Sequence, residues 1–441
     1  MRKAEFKKYL SIGLGKCAVE LVSCNDRNKY RDIVLRACLR PQTENVLYGT
    51  RAQYLYDLLS FFEDDKLFFD AIITAFNECS LSRYPFFAQL CDLLVLFSMD
   101  ECKEAESALQ CKYAAILKKL LSDKVKPESY RCFEYICVGM LSLYGEERIW
   151  ESIKDISDVF CAHPNSTEHF GWYLSIISDW RGGKLWSRLC KKAEKDPSLL
   201  RVVKAGQTEY SHTEKENKAE RAQQNLQYAF EKGLPYKSTD LLRIESGGRE
   251  QGDFLAELIR KEKSMRRKSK LLSAVSEENN AFAPQELIAF ADSDDPVLSR
   301  AGWKALIEIC PEGAHDFAVG VGIKSHCVDL AAAVLAQTYR PEDKDLFLYC
   351  LQKVSHRSAD AHLVFSTILK EAEQSSLLPK EALLYIYENF GCDFCRMRTV
   401  ALLSKRRMFT HSIAAECLYD SSDEVREFAE KKLKRTKSSI N

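Results

Sequence analysis

Asp294-Asp-Pro-Val-Leu-Ser-Arg-Ala301 and Ser422-Asp-Glu-Val-Arg-Glu-Phe-Ala-Glu-Lys-Lys-Leu433 share one frame. A short acidic turn is followed by an apolar residue, a small residue four positions on and an apolar or small residue eight positions on. Val425, Ala429 and Leu433 then stack on one face of a helix, as do Val297, Ala301 and Ala305. Asp423 and Glu424 stand at the helix start, where negative charge meets the positive end of the dipole. The frame recurs with Cys327, Ala331 and Leu335, with Ala361, Phe365 and Leu369, and with Met397 and Ala401. Successive anchors at 297, 327, 361, 397 and 425 are spaced by 30, 34, 36 and 28 residues.

An amphipathic stretch precedes each anchor, at 284–291, 314–323, 344–354, 379–390 and 409–418. Each period therefore holds two helices, and the small residue within the second lets a neighbour approach closely. One such hairpin cannot bury its apolar face alone, so neighbours must stack and the terminal unit must be more polar. Lys431-Lys-Leu-Lys-Arg-Thr-Lys437 suits that polar end.

Over about residues 283–437 this pattern resembles the HEAT-like helical repeats. The resemblance rests on Asp294-Asp-Pro-Val297 with Arg300-Ala301, and on Asp423-Glu-Val-Arg426 with Ala429 and Leu433. The unit anchored at 361 has neither the Asp nor the Arg in those positions and is carried by spacing. The resemblance implies an α-α superhelix, a HEAT-like solenoid, and leaves activity open, because such repeats serve many functions.

Upstream, the 3.6-residue apolar period marks helices at 30–39, 51–62, 66–76, 85–99, 103–121, 129–143, 148–160 and 167–180. The 85–99 stretch is apolar nearly all round and should be buried on several sides. The repeat frame is not visible there. The expected organisation is all-α: a divergent helical array over 1–205, polar and basic connecting helices over 206–280, and about five HEAT-like helix pairs over 281–437. Within the connecting segment Ala219, Ala222, Leu226, Ala229 and Phe230 form one stripe. A second helix is expected over about 253–275, with Leu258, Met265 and Leu272 facing the core.

Composition sets the outer limits. The 441 residues are 46% hydrophobic, enough for a large core. Only 18 Gly and 11 Pro occur, below ordinary usage of ~7% and ~5%, which favours helices with short connections. Basic and acidic residues balance at 64 each, so no global field steers the chain to nucleic acid or an anionic membrane. Seventeen Cys cannot all be paired, and many sit inside apolar helical patterns as small hydrophobes. They point to a reducing, cytoplasmic setting. The most apolar run, 86–99, falls short of the ~18–20 residues of a membrane span. No membrane partner is expected.

Chemistry-bearing motifs are few. Gly13-Leu-Gly-Lys16 resembles part of a phosphate loop, but Leu10 stands where the first Gly belongs and Cys17 where the magnesium-holding hydroxyl belongs, so nucleotide binding is not expected. Cys392-Asp-Phe-Cys395 opens a helix, and His411 and Cys417 follow, a donor set that suits tetrahedral zinc. The competing reading is a pair of buried structural cysteines with His411 on the surface. Cys161-Ala-His163 with His169 lacks the i, i+4 spacing of paired helical ligands and reads as a polar loop. The 260–270 stretch carries Arg260, Lys261, Lys263, Arg266, Arg267, Lys268 and Lys270, a face that suits phosphates. Glu250, Asp253, Glu257 and Glu262 precede it, so a solvated, acid-paired face is the ordinary reading. Phe170-Gly-Trp-Tyr173 with Trp180 and Trp186 lines either a groove or the core, and core packing is the better fit.

No hydrolase, zinc-protease, calcium-loop or kinase signature occurs, and 8 His leave few candidates for histidine chemistry. The expected function is a protein–protein scaffold that grips another protein or peptide on the solenoid surface, with no cofactor. The alternative is a nucleic-acid module, as in the HEAT-like DNA glycosylases, using the basic residues of 260–270. A metal-dependent enzyme centred on Cys392 and Cys395 is the third reading.

Overall fold

The computed structural model describes residues 1–42, 50–63, 65–122, 125–179, 183–206, 213–246, 248–322, 325–355, 358 and 360–438. Among them the chain forms 26 α-helices and no strand. None of these helices is long and apolar enough to cross a membrane. The chain divides into two compact units, Met1–Glu209 with Thr410–Asn441, and Tyr210–Phe409.

The first unit is built around the helix Tyr84–Met99, which buries nearly every residue from Phe86 to Val95. Helices Ala52–Leu59, Asp65–Glu78, Lys103–Leu120 and Pro127–Tyr144 all pack against it. A helix apolar on all faces has to be enclosed in this way. Its one fully buried amide, Gln89, has a structural task. Gln89 Nε2 donates to the carbonyl oxygens of Ala37, Cys38 and Arg40 at 2.8–3.0 Å, and its Oε1 accepts from the N–H of Gln42. The carbonyls that end the helix Asn28–Cys38 are thereby satisfied inside the core.

Two helices near the start, Lys3–Ile12 and Lys16–Ser23, were not marked by periodicity. The Gly13-Leu-Gly-Lys16 turn between them packs against the helix His411–Cys417 and the turn that follows it, which leads into the last helix, Asp423–Ser438. A Cβ at Gly15 would lie 1.8 Å from the carbonyl oxygen of Glu416, and one at Gly13 would lie 2.2 Å from Ser421 Oγ. The glycines serve close approach. The final helix pair, grouped with the repeats by its spacing, thus belongs to the same unit as the N-terminal helices.

In the second unit, four hairpins follow one another: Pro284–Ala291 with Pro296–Ile309, Ala314–Val321 with Val328–Gln337, Lys344–Gln352 with Ala361–Gln374, and Lys380–Asn389 with Asp393–Lys405. Each second helix packs on the next, from Pro296–Ile309 through to Asp393–Lys405. The expected core faces hold for Cys327, Ala331 and Leu335 and for Ala361, Phe365 and Leu369, all buried. At Val425 and Ala429 in the other unit they hold as well.

Two anchors are shifted by one residue. Val297 is 56% exposed and Ala301 half-buried, and Leu298, Gly302 and Leu306 face inward in their place, while Ala305 is buried as expected. Asp295 causes the shift: its carboxylate accepts from the N–H groups of Val297 and Leu298, fixing where the helix begins. Gly302 is then the close-approach position, since a Cβ there would meet the backbone of Phe290 and Ala291 at 2.3–2.7 Å. Likewise Met397 and Ala401 are half-buried, and Arg396 and Val400 are buried.

The expected single helix over 253–275 is two helices, Arg249–Lys261 and Met265–Leu272. The buried carboxylate of Glu262 accepts from the Ser264 N–H at 2.9 Å and the Tyr236 hydroxyl at 2.7 Å, and pairs with Arg267 at 3.2 Å. Ser264 then caps the new helix. The break leaves Leu258 and Leu272 buried but turns Met265 outward. Of the upstream stripe, Ala222, Leu226 and Ala229 are buried.

Candidate functional site

The basic stretch is partly neutralised within its own unit. Arg260 makes a two-pronged bond to Glu286 at 2.8 and 2.9 Å, Lys261 pairs with Glu257, and Arg267 pairs with Glu262 while lying over the Tyr236 ring. Lys263, Arg266, Lys268 and Lys270 have no ion pair among the described residues. The seven residues do not form one free cationic face.

The cysteine pair gains a different third member from the one its spacing suggested. Cys392 precedes the first turn of the helix Asp393–Lys405, and Cys395 lies within that turn. His362 stands in the first turn of the preceding second helix, Ala361–Gln374. Consecutive second helices start side by side, so His362 Nδ1 comes within 3.7 Å of Cys395 Sγ. One ligand atom from each of His362, Cys392 and Cys395 lies within 4.8 Å of the other two. His362 is exposed, Cys392 half-buried and Cys395 fully buried. His411 and Cys417 are not part of this group: both lie in the other compact unit, on the helix His411–Cys417.

The electrostatics separate the two thiols. A hydrogen bond from Cys395 holds the Cys392 thiol well below its ordinary pKa; burial opposes this, and the Cys395 backbone N–H and the His362 imidazole add to the lowering. Its bond to Cys392, with burial, pushes Cys395 up. Phe394, between the two cysteines, is 60% exposed.

The aromatic run divides as its core reading implied. Phe170 and Tyr173 are fully buried, Trp186 is half-buried, and Trp172 is 40% exposed. Trp180 lies outside the described residues. His169 stacks on Tyr130 at 4.7 Å. Two carboxyls, the half-buried Asp92 and the buried Glu134, stand near these rings. Asp92 accepts from the hydroxyls of Tyr135 and Thr50, and burial raises its pKa to about 6. Glu134 accepts from the Tyr173 N–H at 3.1 Å, and burial raises its pKa to about 7. Both carboxyls hold helices together: Glu134 meets the start of the helix Gly171–Asp179, and Asp92 joins its own helix to Pro127–Tyr144. A separate open cleft of about 480 Å³ is lined by Tyr113, Leu117, Met140, Tyr144 and Arg148, with the Arg148 guanidinium 4.0 Å above the Tyr113 ring.

The sequence reading missed His362 because its partners lie some thirty residues downstream. The one available signal was the repeat frame itself, which starts neighbouring second helices at 361 and near 393. No family model matches the chain, and neither a curated protein nor a solved structure matches it.

Proposed function

We propose that the chain is a binding scaffold whose HEAT-like helical hairpins form an α-solenoid that presents its surface to another protein or peptide. The observation that carries this reading is the bridge made by Arg300. From the helix Pro296–Ile309 it reaches Asp329 in the next second helix at 2.8 Å and Asp360, at the start of the one after, at 2.6 Å. Lys304 holds the other Asp360 oxygen at 2.6 Å. Asp360 supplies the acid that the 361 unit lacked in the repeat frame. Three successive repeats are clamped by one polar ladder, as expected when each hairpin depends on its neighbours. Such an array offers a long rigid surface, on which a few aromatic or Arg anchors carry most of the affinity.

The polyanion reading is weaker, because Glu286, Glu257 and Glu262 already engage three of the seven basic residues. A reducing, cytoplasmic setting suits the 17 free thiols. The test is affinity purification of the tagged full chain from its native cell, followed by reconstitution with the purified partner. A single protein that rebinds with micromolar or tighter affinity, and only modest salt dependence, supports the scaffold. Recovery of nucleic acid alone, with binding that collapses between low and moderate salt, would overturn it.

A further inference from the structure

We infer that His362, Cys392 and Cys395 form a binding site for a thiophilic divalent cation, with zinc the best match to donors and spacing. Two sulfurs and an imidazole are borderline-soft ligands that exclude calcium and magnesium, which take oxygen. A tetrahedral zinc with Zn–S of ~2.3 Å and Zn–N of ~2.0–2.1 Å places sulfur and nitrogen ~3.6 Å apart. The Cys395 Sγ to His362 Nδ1 distance is 3.7 Å, and all three ligand atoms lie within 4.8 Å of one another. Small side-chain rotations therefore suffice to close the site, with both helices left in place.

The backbone prepares the arrangement. Residues three apart at a helix start share a side, so Cys392 and Cys395 aim their sulfurs at one point. The positive end of the helix dipole lies beside both sulfurs, where the negative charge of metal-bound thiolates is favoured. Two thiolates and a neutral imidazole cancel the charge of the cation. Two S–H bonds give way to two S–metal bonds, and the protons pass to solvent. His362 is exposed, so the fourth coordination position is accessible to water. A dithiol–disulfide pair would use the same two sulfurs, and disulfide formation in place of metal uptake is one outcome of the test below. The site also ties Ala361–Gln374 to Asp393–Lys405, so a bound cation would cross-link consecutive hairpins.

The experiment is a cobalt(II) titration of the reduced, metal-stripped full chain, followed by displacement with zinc. A thiolate-to-cobalt charge-transfer band that saturates at one equivalent, with visible bands of four-coordinate intensity, is expected. Cys392→Ser and Cys395→Ser should each abolish the charge-transfer band of this site. His362→Ala, at an exposed position that leaves the core intact, should weaken cobalt binding at least ~10–100-fold. Changing the exposed Cys111 and Cys161 to Ser should leave the spectrum unchanged. The inference fails if the native chain gives no such band. It also fails if the band survives in Cys392→Ser or Cys395→Ser, if His362→Ala binds as tightly as the native chain, or if the reduced chain re-forms a Cys392–Cys395 disulfide instead of taking up metal.

Discussion

The backbone N–H of Ser421 donates to the carbonyl oxygen of Gly13 at 2.9 Å, joining the last helix pair to the first turn of the chain. Next to it, Lys16 and Glu416 approach to 4.0 Å. The contact is tight enough that no side chain fits at Gly15, although its φ of −61° is open to any residue. Gly15→Ala is therefore a test of packing alone. It should destabilise this unit by about 1–3 kcal/mol, the usual cost of overpacking. Amide exchange in Lys16–Ser23 and His411–Cys417 should quicken by about tenfold or more. Unchanged exchange in both helices would show that the two segments do not rely on each other.

Arg300 and Asp360 make a second separable prediction. Burial disfavours charge on Asp360, but Lys304 and Arg300 outweigh it and hold the carboxyl below its ordinary range. A carboxyl with a depressed folded pKa contributes stability above its unfolded pKa, near 3.8, and loses it as pH falls through the folded value. A double-mutant cycle of Arg300→Met with Asp360→Asn should give a coupling of roughly 1–2 kcal/mol near neutral pH, because the pair is partly buried. The coupling should fade in strong acid. A coupling indistinguishable from zero at pH 7 would remove the ladder as a source of cohesion between these helical hairpins.

Asp92 and Glu134 should give the opposite pH dependence. Burial raises them from 3.8 to about 6 and from 4.5 to about 7. Each then holds its proton more tightly when folded than when unfolded, so stability declines as pH rises from about 4 to about 7. The loss should be on the order of 1–3 kcal/mol per group, at about 1.4 kcal/mol for each pKa unit and allowing for partial solvation. Asp92→Asn and Glu134→Gln keep an acceptor oxygen for Tyr135 and for the Tyr173 N–H. Thermal unfolding at pH 5 and pH 8 should show a smaller difference in each variant than in the native chain. An identical pH slope in all three proteins would mean that these carboxyls titrate normally.

The helical class was legible because apolar residues recur at 3.6 positions and turn formers are scarce. Buried faces were legible where Ala361, Phe365 and Leu369 repeat at four-residue steps. Register was lost where a cap decides it: Asp295 places the helix start, and with it turns Leu298 inward and Val297 outward. The break at Glu262 was hidden because it arises from a buried carboxylate reaching Tyr236, with no Gly or Pro to mark it. Gly13 and Gly15 were visible, but their role depends on Glu416 and Ser421 at the far end of the chain. The candidate site was half legible. Cys392 and Cys395 sit three apart in sequence, whereas His362 reaches them only through helix stacking.

The one-residue shift at Pro296–Ile309 yields a sharp comparison. Leu298 is 5% exposed and Val297 is 56% exposed, so two adjacent residues of similar hydrophobicity face opposite environments. Leu298→Ala should cost about 2–5 kcal/mol, the transfer energy of the lost methyl groups plus that of the cavity left behind. Val297→Ala removes groups already in water and should stay within about 0.5 kcal/mol of the native chain. Urea denaturation of the two variants distinguishes the registers. If Val297→Ala proved the more damaging, the inward face would run through Val297 and Ala301, and Gly302 would lose its place as the point where this helix meets Phe290 and Ala291.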